Sequence, residues 1–168
     1  MINAESADSP ACNRLFILAF VVLLGLAIGN TVRTQDLWFA DEARVGGIAI
    51  QMADRQLYSV PYLGVEPFVE KPPLYFISAA LAYRWWGEPD NPARALRLAS
   101  VFWGLLAAAA CAGLAATVAR RFGDGGSWYL KGLTAALILL AIPGYVKNVV
   151  TVRIDIALVF FYTASLLC

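Results

Sequence analysis

The stretch LRLASVFWGLLAAAACAGLAATVA, residues 96–119, runs directly into RRFGDGG, residues 120–126, and its reading decides the fold class. At about 1.5 Å of rise per residue, such a run covers the ~30 Å hydrocarbon core of a bilayer. The adjacent Arg120 and Arg121 give it a cytoplasmic end, because short basic loops stay inside. The whole chain agrees with this one segment. It is 60% hydrophobic and only 15% charged, with a mean hydropathy of +0.65, against about 25% charged residues in an ordinary soluble domain. Too little polar surface remains to cover a soluble core, so the excess apolar area is expected to face lipid or neighbouring helices.

Working outward, three further apolar runs are expected to span: residues 15–32, 128–146 and 156–168. The first is read as an uncleaved signal anchor behind a cytoplasmic segment, 1–14, since no A-x-A cleavage site follows it. Residues 73–86 are apolar but short, and end in Trp85 and Trp86. A run of this length reads as interfacial or re-entrant, with its tryptophans at headgroup level. Parity then follows. With Arg120 and Arg121 inside, residues 33–95 form one outer loop and Lys147 to Asp155 another. In the first loop Val45, Ile48, Ala49 and Met52 recur at helical spacing. They predict a short amphipathic helix lying in the interface, although Gly46 and Gly47 weaken it. The fold class expected is therefore an all-α polytopic membrane bundle. The last apolar run, IALVFFYTASLLC, reaches Cys168 without a polar flank, which suggests part of a longer protein.

Several function classes fall away. Histidine is absent, so this chain holds no Ser-His or Cys-His nucleophile and no histidine-bound metal. Cys12, Cys111 and Cys168 lack metal-ligand or disulfide spacing and read as small apolar residues. A net charge of +1 without a basic stripe points away from nucleic acid. GDGG at 123–126 lacks the lysine and hydroxyl of a phosphate-binding loop and reads as a turn.

The folded-back topology gathers three charged groupings on one membrane face: Asp41-Glu42-x-Arg44, Glu70-Lys71-Pro72-Pro73 and Arg153-x-Asp155. Ionisable groups near a membrane are costly unless they face a partner or a polar cavity. Each grouping has an ordinary structural reading too. Asp41 could cap the helix that follows it. Glu42 and Arg44 could be solvated, Lys71 a snorkelling anchor, Pro72-Pro73 a helix start, and Arg153 with Asp155 a local ion pair.

In order and spacing, DLWFADEAR (36–44), LYSVPYLGVEPFVEKPPLYFISAAL (57–81) and TVRIDIALVFF (151–161) resemble the outer loops of a family of lipid-linked-sugar glycosyltransferases. That family includes protein O-mannosyltransferases and the aminoarabinose transferases of lipid A. The resemblance covers roughly residues 15–168. It implies the GT-C fold, a multi-span helical bundle with juxtamembrane helices in its first outer loop. It also implies roles: Asp41 and Asp155 as the catalytic acidic residues of the first and second loops, and Arg44 and Lys71 as cations at the carrier phosphate. Glu42 and Glu70 become the carboxylates beside the phosphate or a divalent metal, whose involvement stays open. Val45 stands where the lipid A transferases carry a tyrosine, and Pro73 follows the protein mannosyltransferase pattern, so no one substrate carries over.

The expectation is thus a transferase in the cell's inner (plasma) membrane, with its active site on the outer or periplasmic side. Its donor is a polyprenyl-phosphate sugar held among membrane lipid, and its acceptor a lipid, glycan or protein. A transporter is the competitor, since charges in membranes also mark ion pathways. The acids here lie in loops, however, and no Gly/Pro-broken span pairs with a repeat. A non-catalytic membrane assembly subunit is the third reading.

Overall fold

The computed structural model describes residues 18, 21–22, 24–32, 37, 40–122 and 127–167. The N-terminal segment 1–14, most of the first half of the run from 15 to 32, and the GDGG turn lie outside the described residues. Those described are mostly helical. Residues 24–32 belong to α1; then come α2 (Ala40–Arg55), a two-stranded hairpin of β1 (Tyr62–Leu63) and β2 (Glu66–Pro67), α3 (Leu74–Trp86), α4 (Pro92–Phe122), α5 (Trp128–Ala141), α6 (Pro143–Val150) and α7 (Asp155–Ser165).

Helix α2 forms where the period of 3.6 placed it, and Val45, Ile48, Ala49 and Met52 are all buried. Asp41 and Glu42 occupy its first turn, where negative charge meets the positive end of the helix dipole. Its apolar face does not lie bare in an interface. It packs against α3, forming one core with Tyr75, Phe76 and Ala79 of α3 and with Leu96 of α4. The helix stops at Gln56, whose φ of 52° is the left-handed conformation that ends many helices. The antiparallel hairpin then folds back on α2: the Gln51 side chain both donates to the Gly64 carbonyl and accepts from the Gly64 N–H. Helix α3 begins directly after Pro72-Pro73, as proline allows in a first turn, and its 13 residues rise only about 20 Å.

Helix α4 has 31 residues, or about 46 Å of length. It is the one continuous helix among the described residues long and apolar enough to cross a membrane, and only 28% of its most apolar window is buried. A core helix of a soluble protein would be mostly covered. This one displays Phe102, Leu105 and Val118 outward. At its far end the Arg120 guanidinium stands 5.3 Å from the Trp128 ring, and α5 turns back along it. Gly132 lies so close to Ala112 that a Cβ there would meet the Ala112 carbonyl at 2.7 Å.

The run read as a single span from 128 to 146 is divided. Helices α5 and α6 meet at 76°, with Ile142 extended between them. Pro143 supplies the cause: its nitrogen carries no hydrogen to continue the helical ladder, and its ring excludes the preceding turn. Helix α6 then crosses α4 near Gly104, whose carbonyl accepts from the Tyr145 hydroxyl at 2.6 Å. A Cβ on Gly104 would meet Val149 at 2.6 Å. Helix α7 finally descends beside α4 in the same direction, with Phe160 and Phe161 against Trp103 near its start and Leu167 close to Gly113 at its end. The 151–154 linker, between α6 and α7, is thereby left at the Pro92 end of α4, above which α2 and α3 pack.

Candidate functional site

At that end a cleft of about 100 Å³ is lined by Asp41, Arg44, Lys71, Val152, Arg153 and Asp155, with Val45 and Ile154 closing its sides. Three segments meet there: the first turn of α2, the loop before α3, and the α6–α7 linker. The three charged groupings recognised in the sequence each contribute to it, although Asp41 and Asp155 are 114 residues apart in the chain. Arg44 and Asp41 face each other across one helical turn, Nη2 to Oδ1 at 3.1 Å, both well exposed. The Arg44 guanidinium also stands 5.8 Å from the Phe68 ring. Asp41 thus lies inside the first turn of α2, engaged with a side chain. Lys71 reaches the cleft from the loop that Pro72-Pro73 ends, and Asp155 opens α7.

Glu70 does not line this cleft. It lines a wider, open groove of about 490 Å³ with Ser59, Pro61, Phe68 and Pro73, and Lys71 borders both spaces. Glu42 departs further from its expected place beside a phosphate or metal. It is 1% exposed and turned inward. Its Oε1 accepts the Val152 N–H at 2.9 Å and lies 3.5 Å from Nη2 of Arg97, which is 1% exposed as well. The spacing already carried this message: Glu42 stands three residues before Val45, on the same helical stripe as Ala49 and Met52. No group of three or more His, Cys, Asp or Glu side chains that could hold a metal occurs among the described residues.

Arg97 is the functional candidate that sequence reasoning missed. It sits inside the run taken for a span, where a single cation among apolar residues is itself a signal for a buried partner. One turn further along α4, Ser100 shares a hydrogen bond with the hydroxyl of Tyr75. Burial pushes that phenol well above its ordinary range, with the nearby Glu42 charge adding to the effect. The same hydroxyl interacts with the backbone of Arg153.

Chemically, the cleft offers three cations and two carboxylates around a space worth about three water molecules at ~30 Å³ each. That is room enough for a phosphate-sized anion. No known family model, no curated protein and no solved structure matches this chain.

Proposed function

We propose that this chain is a membrane glycosyltransferase chain that takes its sugar from a polyprenyl-phosphate carrier at the outer face of the membrane. The observation that carries this reading is the meeting of Asp41, Arg44, Lys71, Arg153 and Asp155 in one small cleft. In this reading α4 crosses the bilayer, and α5 with α6 makes a second, bent crossing. Helix α7 re-enters beside them. Helix α4 is longer than a ~30 Å core requires, and its surplus lies at the Pro92 end among α2 and α3. The reading of α3 as non-spanning is supported by its short rise.

The chemistry follows from the residue types. Polyprenyl phosphate is a weakly basic leaving group, so it calls for cations more than for a general acid. Arg44 offers a forked donor and Lys71 a point charge to the phosphate as its charge develops, with Arg153 on the opposite wall. Asp41 is the base: it takes the proton of the acceptor hydroxyl as that oxygen attacks the anomeric carbon. One C–O bond forms, the bond from the anomeric carbon to the phosphate oxygen breaks, the carrier phosphate leaves, and the anomeric centre inverts. The open groove beside Lys71 supplies space for groups too large for the cleft.

Lys71 tests this assignment. In the full-length protein Lys71→Ala should remove about 2–4 kcal/mol of transition-state stabilisation, the scale for losing one preorganised donor. Lys71→Arg should restore part of it, since the two cations differ in geometry. The assay is transfer of labelled sugar from undecaprenyl-phosphate hexose and aminopentose donors into membrane lipid, glycan and protein. Full turnover by Lys71→Ala removes Lys71 from the site.

A further inference from the structure

We infer that Glu42 and Arg97 are positioning residues, a buried pair that sets the two walls of the cleft at their working separation; the inference rests on the proposed transfer reaction at that cleft. One wall is the first turn of α2, carrying Asp41 and Arg44. The other is the 151–154 linker with the start of α7, carrying Arg153 and Asp155. Glu42 directly follows Asp41 in the first wall, and its carboxylate accepts the backbone N–H of Val152, directly before Arg153, in the second. One carboxylate therefore ties together the two peptides that present the charged groups.

Arg97 holds that carboxylate from below. Its guanidinium lies 3.5 Å from Glu42 Oε1, and both side chains are 1% exposed. Three residues on, Ser100 holds the Tyr75 hydroxyl, which interacts with the backbone of Arg153. Two successive residues of the linker, Val152 and Arg153, are thus engaged by side chains of α2 and α3. Both of those side chains rest on neighbouring turns of α4. The linker lies outside any helix, so the Glu42 carboxylate stands in for the ladder partner that the Val152 N–H lacks.

Stability alone is a poor reason for such a pair. Apolar residues of similar volume often replace a buried ion pair without loss. An apolar pair would pack α2 on α4 equally well, but it could not accept the Val152 N–H or aim the linker. When reacting groups must be aligned, a displacement of about 1 Å can cost about 10²-fold in rate. This is the effect assigned to losing Glu42.

The test uses the full-length protein and two readouts. The first is amide hydrogen exchange of peptides covering residues 151–154, compared with peptides from α2 and α4. The second is sugar transfer from undecaprenyl-phosphate donors, with kcat separated from the donor KM. Glu42→Ala should speed exchange in the linker while α2 and α4 keep their protection. It should lower kcat by about 10²-fold with the donor KM changed less than about threefold. Glu42→Gln keeps an acceptor for Val152 and should retain most of the linker protection and more of kcat than Glu42→Ala. Arg97→Lys, which keeps the charge, should outperform Arg97→Met in both readouts. If Glu42→Ala does not fold, the last three variants carry the comparison. Unchanged linker exchange beside a loss of transfer overturns the positioning role, and so does faster exchange with full transfer. If the wild type moves no sugar, the transferase reading fails by itself. Linker exchange in the variants still decides whether this pair holds the two walls.

Discussion

At the Pro92 end of α4, five charged side chains of both signs face one cleft, and the Glu42–Arg97 pair is buried beside it. At the Phe122 end, Arg120 and Arg121 are exposed, one of them laid over the Trp128 ring. Both ends are charged, yet the charges sit in different physical settings. Exposed cations of one sign cost little and orient a helix in a membrane. Carboxylates and cations gathered in a cleft, with a desolvated pair beside them, cost free energy that stability does not return. The contrast shows why charge near an apolar helix has to be read by its partners and burial, not by its count.

The comparison breaks most visibly if the two ends share a side of the membrane. Cysteine probes at Asp54 and Pro89, both exposed, should react fully with an impermeant reagent added outside intact cells. A probe at the exposed Phe122 should stay unlabelled until the membrane is opened. Labelling of Pro89 only from the cytoplasm would overturn the orientation and bring 73–86 back as a span.

Stability should separate the ends next. Arg97→Met removes the Arg97 charge from beside the buried Glu42 carboxylate and should cost about 3–5 kcal/mol, the range for breaking such a pair. Arg120→Met loses only an exposed cation–ring contact and should cost less than about 1 kcal/mol. Thermal unfolding of the purified protein in detergent gives both values. Equal costs would remove the distinction drawn between the two settings.

A smaller effect sharpens the buried layer. The phenol of Tyr75 titrates above its ordinary value because it is buried. A raised folded value means stability that is whole below about pH 10 and is lost as pH climbs toward the folded value. Tyr75→Phe should therefore cost about 1 kcal/mol near neutrality, for the lost partner of Ser100, and less in the alkaline range. Parallel pH profiles for the two proteins would show that Tyr75 does not feel its burial.

Much of this arrangement was legible in the chain. The 3.6-residue period of Val45, Ile48, Ala49 and Met52 marked α2, and Pro72-Pro73 marked the start of α3. The three charged groupings could be named before their meeting in space was known. Other features were hidden for physical reasons. Arg97 drew no notice because hydropathy averages a lone cation away inside an apolar run, and only the fold brings Glu42 to it. Glu42 was read by its neighbour Asp41 instead of by its helical face. Pro143 lies within the run read as one span, and the α6 helix beyond it is set by packing of Tyr145 and Val149 on Gly104, a contact between residues some 40 apart.

The central claim is that the cleft carries out transfer, and Asp41 tests it most directly. A carboxylate that only stabilises the first turn of α2 or pairs locally with Arg44 is largely replaceable by asparagine, which still accepts hydrogen bonds. A base is not replaceable in this way, because asparagine cannot take a proton. The measurement is sugar transfer from undecaprenyl-phosphate donors by purified full-length protein, wild type beside Asp41→Asn, with thermal stability recorded for each. Asp41→Asn should keep wild-type stability and lose transfer by about 10²-fold or more. Near-normal transfer at normal stability would contradict it and leave Asp41 a local structural residue.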